Sequence, residues 1–230
     1  MRAEQAAQLF DANAARYDRV NTIVSLGLER RWRRWVATRA VAQPGARVLD
    51  AFAGTGAIGL LAARLGGDVT LADTSERMLA VARRQVELAG LPVRFACTDL
   101  TAAQLPFAPA SFDAITAVFA VRYLDTPTET LAHLGTLLRP DGRLIVMEFV
   151  EPGRGLLHWG AGEYFFRILP RVASAIAGSR QLYDYLVDST QRLGQAEDLD
   201  AIITATGLRL AEAKTMGFGL IRAVVAVRDS

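Results

Sequence analysis

Between Asp50 and Gly59 the chain carries residues whose types and spacing suit a nucleotide ligand. Gly54-Thr55-Gly56-Ala57-Ile58-Gly59 matches G-x-G-x-x-G, after the strand-like run Val48–Phe52 and before helix-like spacing from Ala57 to Leu65. Glycine lets the backbone turn tightly and approach a ligand closely, and the helix N-terminus adds partial positive charge. Asp73 ends the next strand-like run, 17 residues past Gly56; an acid there can accept hydrogen bonds from both ribose hydroxyls. These residues predict a ribose-bearing cofactor and leave a nicotinamide cofactor, or a ligand-free tight turn, as alternatives.

Two more carboxylates shift the balance. Asp50 stands four residues before Gly54, where it suits the cationic amino group of an amino-acid moiety and would face a pyrophosphate badly. Asp99 follows a third strand-like run and can accept from an exocyclic amine such as that of adenine. Capping or loop hydrogen bonding is the plain alternative for both.

The elements that must hold these residues alternate. Strand-like runs at Val48–Phe52, Asp68–Asp73, Val93–Cys97, Phe112–Phe119 and Arg143–Val150 are separated by helix-like ones. Ser75 caps one helix and Gly90 ends it, while Thr126 and Glu129 have capping-box spacing around Pro127. Such alternation implies right-handed crossovers and a parallel sheet. At the end, Leu208–Lys214 and Leu220–Val227 are joined by only five residues, too few for a parallel crossover, so that pair must be antiparallel. The fold class expected is α/β: a Rossmann-like, doubly wound sheet of seven strands, mostly parallel, closed by a C-terminal antiparallel hairpin. One domain over 1–230 is expected, with an N-terminal helical segment (1–43), a cofactor-binding half (44–150), a helical insertion (151–195) and a C-terminal helix and strand pair (196–230). The insertion is rich in aromatics and is either a substrate cap or a pair of packing helices.

Composition agrees with one globular domain: 230 residues, 51% hydrophobic, 22% charged, net charge +2. So small a charge gives no reason to expect a nucleic-acid partner, and no metal is expected. Cys97 is the only cysteine, which excludes an intrachain disulfide; its apolar neighbours suggest a small core residue. The N-terminus shows no apolar signal region, and no run approaches ~20 apolar residues, so a cytoplasmic protein is expected. Arg30-Arg31-Trp32-Arg33-Arg34-Trp35 puts both tryptophans on one helix face, fitting either contact at the inner face of a membrane or plain packing.

The chain resembles the ubiquinone/menaquinone-biosynthesis C-methyltransferases over nearly its full length. The resemblance is carried by Phe10-Asp11, Tyr17-Asp18-Arg19-Val20-Asn21, Ser25-Leu26-Gly27 and Arg30-Arg31-Trp32-Arg33 near the start. Leu105-Pro106-Phe107, Ser111-Phe112-Asp113 and Leu138–Leu144 are similar to blocks of the wider class; Met147–Pro152, Tyr185-Leu186 and Ser189-Thr190 are more specific. The resemblance implies S-adenosylmethionine as cofactor, S-adenosylhomocysteine as product, and Tyr17, Gly54, Thr55, Gly56, Asp73, Asp99, Leu100 and Val118 lining the cofactor site. Three places depart from the pattern: Arg122-Tyr123 for Arg-Asn, Leu193-Gly194 for Phe-Pro, and Gly217-Phe218-Gly219-Leu220-Ile221-Arg222 for a His-containing tail. All lie where substrate would be met.

For such an enzyme the acceptor carbon must be made nucleophilic by ionising a ring hydroxyl. Arg122, just past strand four, stays protonated and suits a developing phenolate, or else forms a salt bridge. Tyr123, Glu148 and His158 are unranked candidates for taking the proton or orienting a water, though a lone histidine such as His158 or His133 is more often structural. The expected activity is methyl transfer to carbon of a prenylated hydroquinone such as demethylmenaquinol. Another aromatic or polyketide-like acceptor, a cofactor-binding subunit without catalysis, and a nicotinamide oxidoreductase are the rivals in that order. The expected partner is a lipophilic aromatic small molecule, with peripheral membrane contact and a homodimer left open.

Overall fold

The computed structural model describes residues 22, 25, 27–153, 156–171 and 180–229. In chain order the elements are α1 (Glu29–Ala40), β1 (Arg47–Ala51), α2 (Ala57–Arg64), β2 (Asp68–Asp73), α3 (Glu76–Ala89), β3 (Val93–Cys97) and β4 (Phe112–Val118). They continue with α4 (Pro127–Thr136), β5 (Leu138–Phe149), α5 (Leu156–Glu163), α6 (Arg180–Leu193), α7 (Ala196–Ala205), β6 (Arg209–Met216) and β7 (Ile221–Val227).

The seven strands form one sheet in the order β3-β2-β1-β4-β5-β7-β6. The first five pair in parallel, and β7 runs antiparallel to both β5 and β6; the short Gly217–Leu220 connection requires this of the β6–β7 pair. Strand order reverses direction between β1 and β4, so their carboxyl ends open the crevice where α/β sheets of this kind bind ligands.

The central strands are mostly apolar because both faces are covered, with Asp50, Thr116 and Glu148 as buried polar exceptions. Along β5, Ile145 and Met147 join the cluster under α1–α3 with Trp32, Val36, Leu71 and Leu79. Leu144 and Val146 point the other way, into a cluster with Leu131, Leu134, Leu199 and Ile203 of α4 and α7.

Local signals are kept in part. Ser75 Oγ accepts from Met78 N at 3.0 Å, and Gly90 closes α3 in a left-handed conformation (φ 63°). Thr126 precedes α4 but makes no side-chain cap, so the expected capping box is absent there. A capping box does form at α7, between Gln195 and Asp198. The fifth strand begins earlier than its Pro-Asp-Gly turn suggested: Leu138 already pairs with Phe112, and the register then shifts by a bulge before Ala114 meets Arg143. Asp141 (φ 61°) holds that bulge, its N–H donating to Arg228 O at 2.9 Å. Cys97 is exposed rather than buried. It ends β3, a sheet edge whose burial is incomplete all along, and its thiol pKa is pushed up by partial desolvation and then by Glu76.

Candidate active site

The glycine loop turns through three left-handed residues, Phe52 (φ 57°), Gly54 (φ 54°) and Gly56 (φ 78°). Its base is tied to β2 by Ala53 N donating to Ala72 O at 3.0 Å. The glycines do different work. A Cβ on Gly54 would meet nothing within 4 Å, so that side of the loop is open to a ligand. A Cβ on Gly56 would stand 2.9–3.0 Å from Leu71, Ala82 and Leu60, and one on Gly59 would run into Leu71 Cδ2. These two glycines let α2 sit close on the sheet. Gly56 supplies no side-chain cap to α2, so the helix begins with backbone amides directed at the loop.

Three acids surround this loop. Asp73 accepts from Gly54 N through Oδ2 and from Ser75 N through Oδ1, each at 2.8 Å; it is half-buried at the end of β2. Asp99 is exposed beyond β3 and accepts from Thr101 N and Oγ1 at 2.8 and 2.7 Å through one oxygen, Oδ1. Asp50 sits deeper, 2% exposed. Its Oδ2 accepts from Gly59 N at 2.8 Å and its Oδ1 from Thr116 Oγ1 at 2.6 Å. Burial raises its pKa to about 7, against those two bonds and with some help from Asp73. Asp50 therefore braces the loop from below, with each oxygen accepting one hydrogen bond from the protein. Thr116, absent from the sequence expectations, faces Asp50 across the β1–β4 register, and a lone hydroxyl within Ala114–Val118 was the available signal.

Other expected cofactor-site residues divide by depth. Thr55 is buried under the loop and Leu100 is 1% exposed within the core, so what either offers a ligand comes from its backbone. Val118 is half-buried at the end of β4, beside the switch point. Tyr17, with the block Phe10–Asn21, lies outside the described residues.

Beyond β4, Phe119 turns the chain (φ 58°) and its N–H donates to Met147 O at 2.8 Å. A single 3-10 turn, Val121–Tyr123, then carries Arg122 inward. The Arg122 guanidinium pairs through Nη1 with Glu148 Oε1 of β5, and both side chains are 0% exposed. Its Nη2 donates to the Tyr123 hydroxyl at 2.6 Å, and Phe119, Tyr123 and Phe149 rings pack about it. The arginine expected to face an acceptor is thus withdrawn behind Tyr123, because a carboxylate on the neighbouring strand holds it there. Burial raises the Glu148 pKa, with Arg122 acting against the rise. Tyr123 is half-buried and stacks on Tyr185 of α6 at 5.3 Å. Ser189 and Thr190 both donate to Leu186 O inside α6, a packing role.

The helical insertion also flanks this edge. α5 lies against the Gly217–Gly219 turn, where a Cβ on Gly219 would stand 2.9 Å from His158. Glu151, Pro152, His158, Trp159, Glu163 and Phe166 line an open cleft of 460 Å³. Trp32 and Trp35 are core residues, 9% and 8% exposed, which decides for the packing reading of that face; Arg30, Arg31 and Arg34 remain exposed. No helix among the described residues is long and apolar enough to cross a membrane.

A sheet of this order, with a glycine loop at the switch point and acids at the neighbouring strand ends, defines the Rossmann-like S-adenosylmethionine-dependent methyltransferases. A solved methyltransferase of that kind from Aquifex aeolicus superposes with a TM-score of 0.60 at 18% identity, covering 85% of this chain and 88% of its own. The chain belongs to the ubiE/COQ5 methyltransferase family, whose model matches residues 1–228. It is 37% identical over 216 residues to the demethylmenaquinone methyltransferase of Thermus thermophilus, covering 93% of this chain and 97% of that one. Against the Deinococcus radiodurans protein of the same name it is 35% identical over 221 residues, covering 95% and 90%.

Proposed function

We propose that this methyltransferase acts on a ring carbon of a menaquinone precursor, a prenylated hydroquinone of the demethylmenaquinol type. S-adenosylmethionine is the donor and S-adenosylhomocysteine the product. The observation that carries the reading is the open glycine loop after β1 with Asp73 and Asp99 at the next two strand ends, in a chain whose named relatives take their names from that reaction.

The residues fit the cofactor. The open side of Gly54 admits close backbone approach, Asp73 accepts from the ribose, and Asp99 with the Leu100 backbone meets the adenine. Asp50 acts on the amino-acid moiety through the loop it braces, and Val118 completes the described part of the lining. When bound, the cofactor supplies an electrophilic methyl group on a sulfonium. The chain's own task is alignment and charge. Tyr123 hydrogen-bonds the acceptor's ring hydroxyl, whose proton passes to water, and Arg122 behind it favours the resulting phenolate. In balance, the ring hydroxyl loses a proton and the ring carbon bonds to the methyl group. The sulfur–methyl bond breaks with its electron pair staying on sulfur. The displaced ring proton leaves and the hydroxyl is restored, so one proton is released per turnover.

Peripheral contact with a lipid surface would bring such an acceptor to the site. Leu156, Trp159 and Phe218 are 82%, 66% and 61% exposed and offer apolar contact to such a surface. A second reading, methylation of another aromatic acceptor, is favoured by Tyr123 and by Gly217-Phe218-Gly219, both departures from the family pattern.

Incubation with methyl-labelled cofactor and demethylmenaquinol tests the choice. Label in the quinol ring is expected. Label only in other phenols would select the second reading, and no transfer with cofactor binding intact would mean a non-catalytic subunit.

A further inference from the structure

The ion pair between Arg122 of the Val121–Tyr123 turn and Glu148 of β5 reaches further than a structural pair needs to. Glu148 is held on three sides: it pairs with the Arg122 guanidinium and accepts from Phe149 N at 2.8 Å and Arg122 N at 3.4 Å. A carboxylate so fixed cannot swing away, so its position sets that of the guanidinium. The other guanidinium nitrogen then holds the Tyr123 hydroxyl at 2.6 Å, and the Tyr123 ring stacks on Tyr185 of α6. A rigid central strand is thereby connected through two side chains to the phenol that stands at the carboxyl edge and to the helix above it.

We propose that Glu148 is a positioning residue for methyl transfer: it aims Arg122 at the Tyr123 hydroxyl and offsets enough of its charge to set the potential felt by the acceptor. The inference rests on the reading that Tyr123 meets the acceptor. Of the described titratable and charged groups around the pair, Tyr123 shares its turn, Tyr185 comes from α6 with Arg192 5.7 Å over its ring, and Arg222 stands opposite Glu148 in the β5–β7 register. Arg222 is itself paired with Asp200 of α7, so removing the Glu148 charge leaves the surroundings of Arg122 more positive.

Glu148→Gln keeps the shape and removes the charge. Against demethylmenaquinol, kcat should fall roughly tenfold, and the pH midpoint of kcat should move down by roughly one unit, since an unbalanced cation eases ionisation of the acceptor. S-adenosylhomocysteine affinity should stay within about twofold, because the pair does not touch the glycine loop. A lowered Tm with an unmoved pH midpoint and unchanged kcat would reduce the pair to structure and overturn the proposal. If the glutamine variant does not fold, Glu148→Asp decides: it keeps the charge one methylene short, so kcat should fall about fivefold with the pH midpoint unmoved, and an undiminished kcat refutes. Tyr123→Phe separates the two levels. If it cuts kcat while Glu148→Gln leaves the pH profile alone, only the positioning role fails; if it too has no effect, the reading of the acceptor site fails.

Discussion

Asp50→Asn offers a quantitative test of how the loop is held. The Asp50 carboxyl ordinarily titrates at 3.8 and is raised to about 7 in the fold, chiefly by burial. The folded protein therefore prefers the protonated acid. Its stabilising preference is whole below pH ~4 and is lost as pH rises through the folded value near 7. A shift from 3.8 to about 7 corresponds to roughly 4 kcal/mol at about 1.36 kcal/mol per unit, of which about 2 to 3 kcal/mol falls between pH 5 and pH 8. Asparagine is nearly isosteric. Its oxygen can accept from Gly59 N, and its amide can donate to Thr116 Oγ1 once that hydroxyl rotates. Both partners stay satisfied, and only the titration is removed. Urea unfolding at pH 5, 6, 7 and 8 should show the wild-type chain losing stability across this range and Asp50→Asn losing about 2 to 3 kcal/mol less. Glu148 also has a raised pKa, but it is present in both proteins, so the difference isolates Asp50. Parallel pH profiles for the two would refute the account of Asp50 as a buried, neutralisable brace.

Three further outcomes follow from the same geometry. Gly54→Ala and Gly59→Ala should separate binding from folding: Gly54→Ala strains only a left-handed backbone, about 1 kcal/mol, yet should weaken S-adenosylhomocysteine binding at least tenfold by calorimetry. Gly59→Ala, driven into Leu71, should lower stability by about 1 to 3 kcal/mol in thermal unfolding. Asp73→Asn should cost about tenfold or more in cofactor affinity, measured by titration, because it weakens acceptance from both Gly54 N and the ribose; unchanged affinity would remove Asp73 from the site. Trp159→Ser should reduce flotation with anionic vesicles while leaving Tm within a few degrees, and equal flotation would exclude the α5 face as the lipid contact.

What could be read from the sequence, and what could not, divides along one physical line. The glycine loop, the acids at the strand ends and the C-terminal hairpin are local features: spacing within ten to twenty residues dictates them, because φ, capping and loop length are properties of short segments. Seven mostly parallel strands closed by a hairpin could be expected because short crossovers and a forced antiparallel closure leave few alternatives; the order 3-2-1-4-5-7-6 came from the structure. The expectations that were misplaced or left open all needed a neighbour from elsewhere in the chain. Cys97 lies in an apolar run, but β3 is a sheet edge, so its sulfur is uncovered. Trp32 and Trp35 share a helix face beside arginines, and only the covering sheet tells packing from membrane contact. Arg122 was expected at the correct edge. Its direction depended on Glu148, 26 residues later on the adjacent strand, a carboxylate that sequence alone offered as one of three equal proton acceptors. The catalytic question is altered by that pairing. An arginine held by a buried acid cannot turn freely to a ligand, and its other end is held on the tyrosine that follows it. That residue is where this chain departs from the family pattern, which makes position 123 the natural place to look for a difference in acceptor.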